Sequence, residues 1–380
     1  HRLEQQLHSL DPNAFLALPF WTVEYVGAGP FRLDHWESGA YFDVSAFGGH
    51  VLGRPQIDRI HVTFIGDANT ALANLLSGEV SLVVDDAMTF QQAAVAQQEW
   101  ESTHAGTILV QPSLWRTIQI QLVPERQGAN AHVLSDVRAR KALMSTIDKQ
   151  AINDGVYARQ AILADSLIPP TVNYYSEVDA AVVKYPFDPA RAAQLMNDVG
   201  YTKGTDGLFT SPAQGRLSLE LMITQGAQNA TVQQILASTW RRAGFDISQA
   251  ILPQAQAQDP QVRAMFEAMV YTGGNQGEDQ LPNFTSSSIP HPENRWNGTN
   301  RGSWVNPDFD RLAEAYNTTL DAKERAHQIA QLVQIFSDEL PSFSINFDPG
   351  TTSFRSNLSG PALSAPGSST AWNIWQWQVQ

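Results

Sequence analysis

Residues 271–304 hold the side chains best suited to gripping a polar solute: Tyr271, Asn275, Arg295, Trp296, Asn300, Arg301 and Trp304. The segment is rich in Gly, Asn, Trp and Arg and poor in aliphatic residues, a composition unsuited to core. Aromatic faces beside amide and guanidinium donors fit a polyhydroxylated ligand, whose C–H faces stack while its hydroxyls require hydrogen bonds. Tyr271, Trp296 and Trp304 are therefore expected as stacking surfaces. Asn275, Arg295, Asn300, Arg301 and, from an earlier strand, Gln121 are expected as hydrogen-bonding groups. The competing role is structural, with Trp296 and Trp304 packing the loop onto its own domain and Trp115 filling core.

Groups for covalent or metal chemistry are missing. There is no G-x-S-x-G, H-E-x-x-H or G-x-x-x-x-G-K-[ST], and Gly27-Ala28-Gly29 lacks the third glycine of a dinucleotide fingerprint. The 9 His residues are scattered without an i, i+4 pair, so neither a metal site nor a cofactor is expected. With 0 cysteines, disulfides, thiolate catalysis and Cys-ligated metal are excluded, which also suits an exported protein. Acid/base work falls to the neighbours Asp85-Asp86 and Glu278-Asp279, although adjacent carboxylates usually point apart into solvent. A hydrolase using Glu278 or Asp279 is the alternative function they leave open, and an interaction or sensory protein without ligand capture is another.

The 24 basic and 38 acidic side chains give a net charge of −14, which repels nucleic acid and anionic membrane surfaces; no block of Lys or Arg overrides it. No nucleic-acid partner is expected. At 380 residues the chain exceeds the roughly 250–300 at which single cores stop growing, so at least two lobes are required. Residues 1–20 show no initiator Met, basic n-region or apolar h-region.

The elements that must position these groups alternate strand and helix. Strand-like alternation starts after Pro30 and returns at Ile57, Ile60, Val62 and Phe64. A helix capped by Thr70, with Leu72, Leu75 and Leu76 on one face, stops at Gly78. Trp115, Ile118, Ile120 and Leu122 mark a long strand carrying Gln119 and Gln121. Two helices follow, capped by Ser135 or Asp136 and by Asp148, with Arg138 and Arg140 expected on solvated, salt-bridged faces. Asp188-Pro189 opens another helix and Gly200 ends it. Leu217-Leu219-Leu221 and Phe266–Tyr271 give strands, Ile235–Ala243 a helix closed by Gly244, and Lys323–Asp338 a helix ended by Pro341. The tail tryptophans Trp372, Trp375 and Trp377 alternate at strand spacing and are expected to pack.

Several of these segments resemble, in order, those of the bacterial extracellular solute-binding proteins of family 5, the oligopeptide-, dipeptide- and nickel-type ABC transporter substrate-binding proteins. Gly27-Ala28-Gly29-Pro30-Phe31 to Trp36 is similar to G-x-G-P-[YF]-x-L-x-x-W, and Leu76-Ser77-Gly78-Glu79-Val80-Ser81 to L-x-S-G-E-V-D with Ser81 for the Asp. Asp136 to Ile152 resembles D-x-R-V-R-x-A-[LI]-x-x-A-I-[DN]-[RK]-x-x-I, Tyr185 to Tyr201 resembles Y-x-x-D-P-x-x-A-x-x-L-L-x-x-A-G-[YF], and Trp304 to Leu312 resembles Y-x-N-P-x-[FY]-D-x-L.

The resemblance implies an α/β, periplasmic-binding-protein-like two-lobe fold of type II, in the cluster with an extra domain. It implies that the chain corresponds to the later two-thirds of the family, with the N-terminal part and the small domain absent. Residues 1–115 and 348–380 would form an incomplete first lobe and 116–347 the second, with Trp115, Gln119 and Gln121 lining the cleft. Peptide-binding members tend to carry W-x-x-D where this chain has Tyr271-Thr272-Gly273-Gly274, the Asp pairing with the peptide ammonium. An unpaired buried ammonium costs several kcal/mol, which tilts the expected ligand toward an oligosaccharide or another neutral polar solute, with a short peptide-like solute beside it. What the resemblance implies overall is a non-enzymatic solute-capturing component of an ABC importer, partnered by a membrane permease. It would work in the periplasm or outside the cell, lipid anchoring of the full-length precursor being one arrangement.

Overall fold

In the computed structural model, two long strands carry the chain between its two units. The structure describes residues 11, 14–15, 17–21, 24–84, 87–128, 131–366 and 368–380. The Asp85-Asp86 pair and residues 1–10 lie outside the described residues. Unit 1 comprises His1–Gln111, Gly350–Ser364 and Ser368–Gln380; unit 2 comprises Pro112–Pro349 and Ala365–Gly367.

In unit 1, β1 (Phe31–Glu37), β2 (Tyr41–Ala46) and β3 (Arg59–Thr63) form an antiparallel sheet. Trp36 stacks on Phe42 on that sheet, ring centroids 5.7 Å apart. The helix α1 (Ala68–Ser77) is capped by Asp67 rather than Thr70: the Asp67 carboxylate accepts from Thr70 N–H at 2.8 Å, which places Thr70 inside the first turn. Gly78 ends α1 at φ +89°, a left-handed backbone that glycine takes without steric penalty. β4 (Leu82–Val83) follows, then α2 (Phe90–Trp100), and Leu75, Val83, Met88, Ala96 and Trp100 bury a small core between them.

The strand β5 (Gly106–Ile120) leaves unit 1 at Gln111 and continues into unit 2. There α3 (Val137–Met144) is capped by Asp136 and α4 (Lys149–Tyr157) by Asp148, each carboxylate accepting a first-turn N–H. Arg140, expected on a solvated face, is 5% exposed and donates to the carbonyls of Leu134, Ser135 and Glu339; three carbonyls left over at neighbouring chain ends draw it inward. Next come β6 (Ile162–Leu163), α5 (Tyr175–Ala181) and α6 (Pro189–Asp198), the last capped by Asp188 with Pro189 at its first position. β7 (Thr202–Lys203), β8 (Phe209–Ser211) and β9 (Gly215–Arg216) make a small sheet.

The main sheet of unit 2 is built from β10 (Ser218–Thr224), β11 (Asp246–Leu252) and β12 (Met269–Gly274), with β10 pairing β11 and β12 in parallel. Between them lie α7 (Ala227–Ala243), closed by Gly244 at φ +113°, and the short α8 (Pro260–Ala264). β5 joins antiparallel to β12. After α9 (Pro307–Thr318) and α10 (Ala322–Glu339), β13 (Ser342–Arg355) adds on the other side of β5 and re-enters unit 1, where its end pairs with β4. One core of unit 2 gathers Ile118, Leu143, Leu219, Leu221 and Trp240; a second gathers Trp115, Phe284, Trp304, Phe309 and Phe336. Of the tail tryptophans expected to pack, Trp377 is buried, Trp372 is exposed and Trp375 lies in a 3-10 turn; Gln378–Val379 (β15) then pairs with Leu358–Ser359 (β14). No helix among the described residues is long and apolar enough to cross a membrane.

Candidate functional site

Where β12 runs out, Gly273 pairs with Arg116 and Gly274 with Trp115 of β5, and across β5 the Ser113 hydroxyl donates to the Asp348 carbonyl of β13. Arg116 turns its guanidinium onto the Asp348 carboxylate, Nε at 2.7 Å and Nη2 at 2.6 Å from Oδ2. The other carboxylate oxygen accepts from Asn346 Nδ2 at 3.1 Å. A Cβ on Gly273 would stand 3.1 Å from Arg116 Nη1, so glycine there leaves the guanidinium its room. The Tyr271 ring lies 6.0 Å from the Arg116 guanidinium carbon. Burial works against the Arg116 cation, but Tyr271 and Asp348 outweigh it and hold the guanidinium charged.

Around this pair the polar atoms are incompletely satisfied. Among the described residues Asn346 Oδ1 and Gln276 Oε1 are buried and have no hydrogen-bond partner; the hydroxyls of Tyr157 and Tyr271, also buried, face each other and the Asp348 carboxylate without forming a hydrogen bond of normal length. Burial first, and the nearby Asp348 charge second, push the Tyr157 phenol up to about 12, so at neutral pH it stays a neutral hydroxyl able to donate and accept. Buried polar atoms without partners are exceptional, each costing about 1–3 kcal/mol. Their gathering at one end of one sheet is the property of a site completed by a polar solute or ordered water. The set holds donors and acceptors together but no free charge, since Asp348 is neutralised by Arg116.

Of the side chains expected to bind, Tyr271 belongs to this cluster, though it is 2% exposed and offers a hydroxyl rather than a stacking face. Asn275 is exposed one residue beyond Gly274. Gln121 lies at the opposite end of β5, while Trp304 shares a core with Trp115 through Phe336, and Asn300 donates to the Phe284 carbonyl beside that core. Gln121 N–H donates to the Ala268 carbonyl before β12, and Leu122 N–H to the Gly302 carbonyl, which fastens the loop there. From Trp115 to Leu122 an extended chain covers roughly 23 Å.

Three of the expected binding groups spend hydrogen bonds within the protein. Gln121 donates to the Phe266 carbonyl at 3.0 Å and accepts from Val123 N–H. Asn300 donates to the carbonyls of Phe284, Thr285 and Trp304 and accepts from Trp304 N–H. Trp304 is buried against Phe309 and Phe336, and its indole donates to Glu339 at 2.7 Å. Past β12 the segment folds as short 3-10 turns (Glu278–Phe284, Ser286–Ser288 and Pro292–Asn294) joined by loop, whose remaining backbone groups are satisfied by side chains. Trp296 carries the Arg126 guanidinium on its ring at 5.1 Å, and Arg295 is exposed with φ +56°. Arg301 is partly buried.

The acid/base pair separates in the same way. Glu278 accepts from Arg325 at 3.0 Å; burial would raise its pKa, but hydrogen bonds from Tyr174, Arg325 and Tyr316 prevail and lower it. Asp279 is exposed and accepts from Gln280. A carboxylate held ionised by an arginine has no proton to give at neutral pH. Among the described residues no three His, Asp or Glu converge as metal ligands. Arg116, Tyr157, Asn346 and Asp348 do not stand out in the sequence, because Arg116 and Asp348 are 232 positions apart. The only sequence signal for them is their position near strand ends.

The model of the family described as "Bacterial extracellular solute-binding proteins, family 5 Middle" matches residues 18–292. The dipeptide-binding protein of Escherichia coli strain K12 is 24% identical over 332 residues, covering 84% of this chain and 55% of the relative, so the chain spans little more than half of that protein's length. Among solved structures, NikZ from Campylobacter jejuni in complex with Ni(L-His) superposes with a TM-score of 0.76 at 19% identity, over 98% of this chain and 72% of that one. The oligopeptide-binding protein of Thermus thermophilus, complexed with a pentapeptide, gives 0.74 at 23% identity, over 100% and 69%. The mixed α/β two-lobe fold is that of these proteins, and the chain belongs to the bacterial extracellular solute-binding proteins of family 5.

Proposed function

We propose that the protein is the solute-capturing component of an ABC importer, taking a short peptide or a related small polar solute without chemistry on it and passing it to a membrane permease from the periplasmic or extracellular side. Membership of the family supports the importer role. The carrying observation is the set of buried hydroxyls and amide oxygens beside Arg116 and Asp348 whose hydrogen bonding is incomplete. Peptide amides bring a donor and an acceptor each, which is what hydroxyls and amide oxygens can meet. A free α-ammonium fits less well, because Gly274 has no side chain and Asp348 is already paired. The sugar alternative loses its support with Trp304 buried and Trp296 covered on its ring by Arg126.

Thermal-shift titration with di- to pentapeptides, free and amino-blocked, and with oligosaccharides as comparison, tests this reading. A ligand at about 100 times its Kd adds about 2.7 kcal/mol to stability. A saturable rise with peptides, blocked ones at least as effective as free ones, is expected. A rise only with oligosaccharides would overturn it.

A further inference from the structure

Arg116 commits only part of its guanidinium to Asp348. Nε and Nη2 both reach the same carboxylate oxygen, Oδ2, at 2.7 and 2.6 Å, and the second oxygen, Oδ1, is taken by Asn346 Nδ2 at 3.1 Å. The pair does not form the two-oxygen fork of which arginine and carboxylate are capable. Among the described residues Nη1 makes no hydrogen bond, and 17% of the side chain is exposed, so its two N–H groups are open to a solute.

The neighbouring strand is cleared at that nitrogen. Gly273 of β12 stands opposite Arg116, and a Cβ on it would fall 3.1 Å from Nη1; Gly274 follows opposite Trp115. Neither glycine has the left-handed backbone that other residues avoid, so the strand geometry does not require them. Glycine inside a strand weakens it, and one that no backbone angle demands marks a place where another molecule comes close. Asn346 adds an acceptor beside the pair: its Nδ2 holds Asp348 while its Oδ1 is buried with no partner.

The charges at this place are already closed. Arg116 and Asp348 neutralise one another, and burial keeps the phenols of Tyr157 and Tyr271 protonated at neutral pH. A carboxylate laid on Nη1 would put two anions on one cation where water is partly excluded, and like charges repel most there. An ammonium would meet a guanidinium. A neutral carbonyl oxygen accepts from Nη1 with neither cost, and an amide N–H of the same solute can meet Asn346 Oδ1. We propose that Arg116, with its room kept by Gly273, holds an amide carbonyl of the solute. The closed Arg116–Asp348 pair then selects peptides that are uncharged where they enter, with ends blocked or joined in a ring, over peptides with free ends. This inference rests on the peptide-capture reading above and names the class of peptide.

Calorimetry with the di- to pentapeptides of the thermal-shift titration tests it. Each peptide is offered with free ends, amidated at the C terminus, and both acetylated and amidated, and the dipeptides also as their cyclic forms. Among the dipeptides, the cyclic and doubly blocked forms should bind about ten-fold or more tighter than the free-ended one, with the amidated form between them. Free-ended dipeptides that bind as tightly as blocked ones overturn this inference and leave the capture reading standing; no binding by any form of any peptide overturns the capture reading and this one with it. Asp348→Asn, which frees the Arg116 charge, should reverse the preference in favour of a free carboxylate. Because that variant is also expected to lose stability, Gly273→Val gives a second reading: it leaves the ion pair in place and fills the room at Nη1. It should weaken binding of the doubly blocked peptide about ten-fold. Unchanged affinity in folded Gly273→Val would remove Arg116 as the anchor.

Discussion

Arg116 and Asp348, which lie 232 positions apart, meet as an ion pair of 2.6 Å with only 17% and 14% of their side chains exposed, joining β5 to β13 just inside unit 2. Breaking such a pair from one side strands a largely desolvated charge, a loss of about 3–5 kcal/mol, whereas replacing both partners by apolar groups is far milder. Asp348→Asn should therefore lower stability by about 3 kcal/mol in urea denaturation. Arg116→Met combined with Asp348→Leu should recover more than half of that loss. A single variant as stable as the parent would show that solvent already screens the pair.

The hydroxyls of Tyr157 and Tyr271 give the opposite sign. Both are buried and face each other without a hydrogen bond of normal length, so removing either relieves part of a desolvation penalty. Tyr271→Phe and Tyr157→Phe should leave the ligand-free protein as stable as the parent or up to about 1–2 kcal/mol more stable. They should also weaken solute binding, measured by calorimetry with the peptide found in the screen. Lost stability with unchanged binding would place both hydroxyls in the scaffold and not in the site.

Glu278 sets a pH dependence. Its pKa in the folded protein lies below the ordinary 4.5, because the hydrogen bonds of Tyr174, Arg325 and Tyr316 outweigh burial. A lowered folded pKa means that the unfolded chain takes up the proton first. Glu278 therefore stabilises fully above the ordinary value, and that contribution fades as pH falls toward the folded one. Glu278→Gln should flatten the stability curve between about pH 5 and pH 3 relative to the parent. Parallel curves for the two proteins would contradict the role given to Arg325. The same substitution should leave solute binding intact.

Asn300 and Gly302 are expected to matter for folding and not for capture of the solute. Asn300→Ala would leave the carbonyls of Phe284, Thr285 and Trp304 without its amide, at about 2–3 kcal/mol. Gly302→Ala would drive a methyl against the Ile120 carbonyl oxygen and cost about 3 kcal/mol or more. Chemical denaturation measures both effects. Weakened solute affinity in folded Asn300→Ala would reinstate Asn300 as a binding group.

Much of the scaffold is written in local signals. Asp136, Asp148 and Asp188 cap the helices that follow them, as their positions in the sequence predict, and Gly78 and Gly244 end theirs in left-handed backbone. These features depend on a few neighbouring residues, as a carboxylate reaches an N–H two or three positions ahead. The alternation of Ile118 and Ile120 likewise marks β5, though the strand starts earlier, at Gly106, and ends before Leu122. The tail tryptophans mislead, since Trp375 belongs to a 3-10 turn and Trp372 stays exposed while Trp377 alone of the three is buried.

The binding groups depend on partners that no local pattern names. Tyr271, Trp304 and Asn300 look alike in sequence as polar or aromatic residues of one segment. Asn300 and Trp304 are held by carbonyls and a carboxylate from that loop and from α10, while the Tyr271 hydroxyl faces that of Tyr157 beside Arg116 without a hydrogen bond of normal length. By itself the sequence determined the helix ends, the strand faces and the family, because these follow from short-range chemistry and motif order. Only the tertiary structure decided which polar atoms are satisfied and which stay open, because a hydrogen bond is settled by whatever donor or acceptor the fold brings within about 3 Å.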